Sequence, residues 1–186
     1  IGSGWAAHFL ACGLDVIAVD PHPDAEKHLR VAIDNAWPSL EQLGLEEDAS
    51  PDRLSFTTSV EEALVEADFV QESTPENEST KDKVMAAISQ AARPDVVIAS
   101  STSGIVPTRL QAQCKNPQRM IVGHPFNPVY LIPLIEVVGG KQTSPETINW
   151  AMEFYKHWGK SPLHCRHEML GHLANRLQDV LNCEAL

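Results

Sequence analysis

The chain opens on Gly2-Ser3-Gly4-Trp5-Ala6-Ala7, and the apolar run Val16-Ile17-Ala18-Val19 closes on Asp20, 18 residues after Gly2. A glycine-rich turn, a helix and a short strand ending in an acid restrict the fold more than any other pattern in the sequence. A lone G-x-G-x-x-A is equally a generic turn, but with the strand and the acid at this spacing it reads as a dinucleotide-binding turn. Gly2 makes the tight turn, Gly4 lets the backbone approach a pyrophosphate, and Ala7 permits close packing of helix on strand. The helix N-terminus carries the anion, and Asp20 accepts hydrogen bonds from ribose hydroxyls. Asp20 would repel a 2′-phosphate, so the expected cofactor is NAD rather than NADP, with His22 as the one counter-signal.

Downstream of this turn, strand and helix signals alternate, which predicts an α/β fold with a Rossmann-type, doubly wound, mostly parallel sheet. Helices are predicted over 24–43 (interrupted near Trp37-Pro38), 59–66, 79–92, 106–114, 144–158 and 169–186. Strands are predicted at 54–57, 67–72, 96–99 and 163–165, with the fully apolar Val96-Val97-Ile98-Ala99 at the centre. Residues 1–166 are expected to form the nucleotide-binding domain and 167–186 the start of a helical C-terminal domain. A sheet of this kind begins with a strand before the glycine turn, and only Ile1 of it is present, so the chain reads as a fragment.

Ligands of such sheets sit beyond the C-terminal ends of the strands. Asp20, Glu72, Ser103 and His124 all fall at or just past a predicted strand end. His124 stands in Gly123-His124-Pro125-Phe126-Asn127-Pro128, where the prolines predict a rigid loop after Met120-Ile121-Val122. Twelve residues on, Glu136 lies within the β-branched run Ile135-Glu136-Val137-Val138. A buried carboxylate beside an imidazole fixes one tautomer and stabilises the imidazolium, as a general base requires. On its own such a pair is more often structural; the nucleotide-binding pattern turns the reading toward catalysis. Ser103 ends a Ser/Thr-rich turn that either closes the strand or holds a substrate oxygen. Glu72, Glu76 and Lys81 flank the nucleotide edge and are otherwise solvated loop charges.

With 186 residues, 43% of them hydrophobic, the chain has material for a substantial core. No apolar run approaches the ~18 residues of a membrane span. The four cysteines, at 12, 114, 165 and 183, have neither metal-ligand nor disulfide spacing, so no metal is expected and a reducing cytoplasm is the default. A net charge of −11 argues against nucleic acid and anionic membranes as partners and favours a cationic small-molecule substrate.

Taken together, Gly2-x-Gly4, Glu72-x-x-x-Glu76-Asn77, Ser101-Thr102-Ser103, the His124 loop, Glu136-Val137-Val138 and Gly171-x-x-x-Asn175-Arg176 resemble the 3-hydroxyacyl-CoA dehydrogenase family over essentially the whole chain. The resemblance implies NAD-dependent oxidation of a secondary alcohol β to a carboxylate. It makes His124 the base, Glu136 its partner and Ser103 a contact of the reacting oxygen. Asn175 matches a substrate-side asparagine, Lys81 a lysine near cofactor and substrate, and the full-length parent is expected to be a homodimer. Departures bear on the substrate: His172 stands where acyl-CoA enzymes usually carry Phe, and Ser101 where they carry Asn. Acids at Asp20, Asp24, Glu26 and 46–48 would oppose the phosphates of CoA. A small hydroxy acid with a quaternary ammonium fits better, with Trp5, Phe126 and Tyr130 as aromatic candidates for a cation–π contact. The alternatives are a 3-hydroxyacyl-CoA or sugar-acid substrate, or an inactive nucleotide-binding piece.

Overall fold

Apolar residues of the central strands cluster on both faces of the sheet, with its polar side chains toward the strand ends. The computed structural model describes residues 1–185; Leu186, which the sequence reading puts at the end of the last helix, lies outside the described residues. In chain order the elements are α1 (Gly2–Ala11), β1 (Val16–Val19), α2 (Ala25–Leu43), β2 (Leu54–Thr57), α3 (Val60–Ala63), β3 (Phe69–Glu72) and α4 (Glu78–Ala91). They continue with β4 (Val97–Ser100), α5 (Pro107–Gln111), β5 (Met120–Pro125), β6 (Leu134–Gly139), α6 (Pro145–His157), β7 (Ser161–Cys165) and α7 (Ala174–Glu184).

The strands form two hydrogen-bonded pieces, a parallel β1–β2 pair and a five-stranded sheet of order β3-β4-β5-β6-β7. All neighbours in the larger sheet are parallel except β5 and β6. Alternate residues of its strands feed two cores. Ile121, Ile135 and Val137 meet Trp5, Phe9 and Tyr155 from α1 and α6. On the other face, Met120, Val122 and Val138 meet Met85, Ile88 and Leu110 from α4 and α5. Helices therefore cover both faces, as the alternating pattern predicts. A third cluster, with Ala7, Leu10, Ile33, Leu40 and Leu54, packs α1 and α2 onto the small sheet.

Local chemistry sets the helix ends. The Asn77 side chain accepts from Thr80 N–H at 3.0 Å to start α4, and Ser144 accepts from Thr147 N–H at 3.1 Å with Pro145 following to start α6. Several boundaries differ from the sequence reading. α2 runs unbroken through Pro38, because Pro38 and Asp34, whose carbonyl loses its partner, both lie on the solvent face while Ile33, Ala36 and Leu40 keep the buried stripe continuous. α3 and α5 are shorter than predicted, each closing on three-residue bonds such as Cys114 N–H to Gln111 O. The last helix starts at Ala174 rather than Met169, since Gly171 (φ 73°) and His172 (φ 50°) adopt left-handed backbone just before it.

Candidate active site

His124 lies within β5, not in the predicted loop. β4 is paired to β5 only as far as Val122, so the last three residues of β5 have β6 alone as a partner. Pro125 is tolerated there because the missing N–H faces no neighbouring strand on its open side. The antiparallel register sets His124 directly opposite Glu136. Cross-strand pairing thus aims the imidazole, a firmer constraint than the flanking prolines.

The His124 Nδ1 and Glu136 Oε2 atoms are 2.8 Å apart, with Glu136 wholly buried and His124 nearly so. The other carboxylate oxygen, Oε1, accepts the backbone N–H groups of Leu173 and Ala174, each at 2.9 Å. Burial pushes the Glu136 carboxyl up, but these hydrogen bonds and the His124 charge outweigh it and hold the carboxyl below its usual range. An ionised Glu136 only accepts, so neutral His124 carries its proton on Nδ1 and leaves a lone pair on Nε2. Ser103 Oγ lies 3.1 Å from that Nε2. The Phe126 ring stands edge-on to the imidazole at 4.9 Å between centroids.

Ser103 owes its place to Glu76. Oε1 of Glu76 accepts from Thr102 Oγ1, from Ser103 N–H at 3.1 Å and from Gly104 N–H at 2.9 Å. Burial raises this carboxyl as well, and those bonds with the Lys81 charge more than offset it, leaving it below the usual range. Glu76 thus shapes the Ser103 turn from a half-exposed position. Lys81, expected at the cofactor, is 1% exposed and commits Nζ to Glu72 (2.8 and 3.1 Å) and to Thr74 O (3.1 Å). Its ammonium anchors the 73–76 loop and presents nothing to a ligand. Glu72 likewise turns inward, toward Lys81, Thr74 and Ser100, rather than flanking a nucleotide in solvent.

At the glycine turn, the first helical hydrogen bond of α1 runs from Trp5 N–H to Ile1 O, so the N–H groups of the preceding turn have no partner within the helix. A cleft of about 290 Å³ opens there between Ser3, Gly4, Asn35 of α2 and the 127–130 loop. A Cβ at Gly2 would meet only Ser73 Cβ, at an ordinary 3.5 Å. At Gly4 it would meet Val129 Cβ at 3.0 Å, so the glycine turn also packs closely on the 127–130 loop. Ala7 is fully buried against Leu10, Ile33 and Leu54. Asp20 is exposed at the end of β1, where its Oδ1 accepts from His22 N–H at 2.8 Å. Unpaired helix-start donors beside an open cleft, with a carboxylate at the next strand end, suit a dinucleotide.

Other expectations part from the structure. Trp5 is 2% exposed, stacked on Phe9 and bonded through Nε1 to Ser101 Oγ at 3.3 Å, and the cation over its ring is the protein's own Lys160 ammonium, 5.3 Å from the centroid, so the ring is closed to a substrate's cation. Tyr130 packs beside the α1–α2 cluster, which leaves Phe126 as the aromatic ring at His124. Asn175 follows directly on the Ala174 N–H that holds Glu136, yet among the described residues its side chain makes no hydrogen bond to His124, Glu136 or Ser103.

Sequence reasoning missed the donors from Leu173 and Ala174 and the part played by His172. That ring is 1% exposed, lies 5.1 Å from the His124 ring between centroids, and donates Nε2–H to Thr102 O at 3.0 Å. Burial lowers its pKa, as does the His124 charge, against the opposing pull of Thr102 O, Glu136 and Glu76. The adjoining Gly171 was the only local hint that the chain stops being helical here.

Residues 1–169 match the family model described as 3-hydroxyacyl-CoA dehydrogenase, NAD binding domain. L-carnitine dehydrogenases of Burkholderia mallei and Streptomyces griseus are 53% and 54% identical to the chain over all 186 residues. The chain spans 58% and 56% of those proteins, a little over half their length. Among solved structures, the NAD+-dependent dismutase 5-formyl-3-hydroxy-2-methylpyridine 4-carboxylic acid 5-dehydrogenase superposes with a TM-score of 0.91 at 35% identity, covering all of this chain and 60% of that one. The (S)-3-hydroxybutyryl-CoA dehydrogenase of Ralstonia eutropha gives 0.90 at 30% identity, covering 99% and 66%.

Proposed function

Because the chain belongs to the 3-hydroxyacyl-CoA dehydrogenase family and its cofactor is NAD, we propose that it is the nucleotide-binding, base-bearing part of an enzyme that oxidises the 3-hydroxyl of L-carnitine to 3-dehydrocarnitine. The observation that carries the chemistry is the Ser103–His124–Glu136 relay, with hydrogen bonds of 3.1 and 2.8 Å. The substrate assignment rests on relatives named L-carnitine dehydrogenase that are 50–54% identical across the full chain.

Each group has a definite task. Ser103 Oγ, fixed by Glu76, orients the substrate hydroxyl toward His124. The Nε2 lone pair of His124 takes the hydroxyl proton as the carbinol carbon becomes a carbonyl. Glu136 offsets the positive charge that appears on the ring and prevents it from rotating. When bound, NAD supplies the hydride acceptor. General-base catalysis of this kind contributes ~10²–10⁴ in rate. An exposed Asp20 favours NAD over a cofactor bearing a 2′-phosphate. The acids Asp20, Asp24 and Glu26 follow β1 together and oppose a polyphosphate substrate nearby, in keeping with a small cationic hydroxy acid.

The test is reduction of NAD by a full-length enzyme carrying this chain, with L-carnitine compared against 3-hydroxybutyryl-CoA. Preferred turnover of L-carnitine supports the assignment, and preferred turnover of the thioester transfers the same relay to an acyl-CoA substrate. His124→Asn should lower either activity by at least ~10²-fold while calorimetric NAD binding is retained. A variant that keeps more than about a tenth of the rate removes His124 from the role of base.

A further inference from the structure

Hydrogen bonds close a ring around the base. His124 Nδ1 meets Glu136 Oε2 at 2.8 Å, and Glu136 Oε1 accepts Leu173 and Ala174 N–H at 2.9 Å. The residue just before them, His172, donates to Thr102 O at 3.0 Å, and the next residue, Ser103, returns to His124 Nε2 at 3.1 Å. Both routes away from the base therefore meet at His172, which joins the turn after β4 to the start of α7 across 70 residues of sequence.

His172 holds this place at visible expense. Its φ of 50° puts a side-chain-bearing residue in left-handed backbone, which L-residues other than glycine rarely adopt. Its Nδ1 is buried with no hydrogen-bond partner among the described residues, a second unfavourable feature. Strain and an unsatisfied polar atom on one residue beside a catalytic pair are the combination that functional constraint maintains. The bond to Thr102 also dictates the form of the ring. A carbonyl only accepts, so Nε2 bears the proton and Nδ1 is bare. Protonation of Nδ1 would create a buried donor with nothing to receive it, so the ring stays neutral and does not compete with His124 for Glu136.

We propose that His172 is a positioning residue for the base: it ties the Ser103 turn to the Leu173 and Ala174 N–H groups, which hold Glu136 so that His124 keeps its proton on Nδ1 and its lone pair toward Ser103. It acts through Thr102 and Glu136 and touches no reacting atom. The proposal rests on the reading of His124 as the base, but its test does not depend on turnover or on substrate identity.

Nitrogen-15 NMR of the histidine rings in the chain at pH 8 reads each tautomer directly. In the wild type, His124 should show the Nδ1–H form and His172 the Nε2–H form; an Nδ1–H or charged His172 overturns the proposal at once. His172→Phe, of similar size but without a donor, should shift His124 to a mixture containing the Nε2–H form that free imidazole prefers. His172→Gly, which relieves the left-handed strain and also lacks the donor, should do the same and serves if the Phe variant does not fold. His172→Gln, whose amide N–H can take the place of Nε2–H, should keep His124 in the Nδ1–H form. A His124 tautomer unmoved in both donor-free variants would reduce His172 to a space-filling residue. A Gln variant that behaves like Phe would refute the bond to Thr102 as the cause. Loss of the catalytic reading itself is decided separately by His124→Asn.

Discussion

Glu136 has both carboxylate oxygens engaged and no exposed surface, so exchanging it for an isosteric amide changes charge far more than packing. Glu136→Gln removes the partner that stabilises the His124 imidazolium, so protonation of the base becomes harder and the acidic limb of the pH–rate profile moves to lower pH. Because Oε1 must go on accepting Leu173 and Ala174 N–H, the amide N–H faces His124 Nδ1 and favours the Nε2–H ring, so the rate should also fall by ~10²-fold or more; an acidic limb that stays in place would separate Glu136 from His124. The buried pair Lys81–Glu72 makes a different prediction. Both side chains are 1% exposed, so Lys81→Met leaves a lone carboxylate in the interior. Urea denaturation should show a loss of ~3–5 kcal/mol, and the double variant Lys81→Met, Glu72→Leu should recover much of it. If the single variant lost under ~1 kcal/mol, Glu72 would have another source of compensation within the 73–76 loop.

Among the elements, the contact of α1 with the turn before β7 is polar at its centre. His8 is buried, donates Nε2–H to Trp158 O at 2.8 Å, and has its pKa lowered to about 3 by burial first and the Lys160 charge second. A depressed histidine adds stability that is whole above its unfolded pKa of about 6.5 and drains away as pH falls toward 3, since the unfolded chain binds the proton first. Denaturant unfolding between pH 7 and 4 should therefore show a decline that His8→Leu flattens, with Glu76 and Glu136 adding losses only at lower pH, in and below the carboxylate range. An equal decline in both proteins would mean that other groups set the acid response. The order of strands and helices was legible in the sequence because period and turn chemistry are local. Pro38 misled because the break depends on which face its lost hydrogen bond looks toward, and Pro125 because a strand with one partner accepts a proline that a central strand refuses. Trp5 misled for a similar reason: a tryptophan beside a binding motif is a ligand contact or a core residue according to what packs over it, here Phe9 and Tyr155. His124 and Glu136 were readable as types at a spacing. The link through His172 was not, since nothing near residue 102 announces a partner near 172.

At the scale of the whole molecule, the site draws on distant parts of the chain: the turn after β4, facing residues of β5 and β6, and the first N–H groups of α7. Asp20 and the glycine turn belong to a different region, where α1 packs against α2 and touches β1. Among the described residues no ladder bond joins the β1–β2 pair to the larger sheet; α1 bridges them, giving Trp5 and Phe9 to one core and Ala7 and Leu10 to the other. Ile17 and Val19 are 45% and 38% exposed, whereas Ile98 and Ile121 are fully enclosed. Backbone amides under a thinner apolar cover open more readily than those of an enclosed strand. Native-state hydrogen exchange should find the amides of 16–19 and 54–57 opening at least about tenfold faster than those of 97–100 and 120–122, equivalent to ~1.4 kcal/mol of independent opening. Identical protection in both sets would refute that difference. Because Asp20 follows β1 and His124 stands on β5, any ligand gripped by both acts as a clasp, and occupancy should slow exchange at 16–19 and 54–57 more than at 97–100 and 120–122.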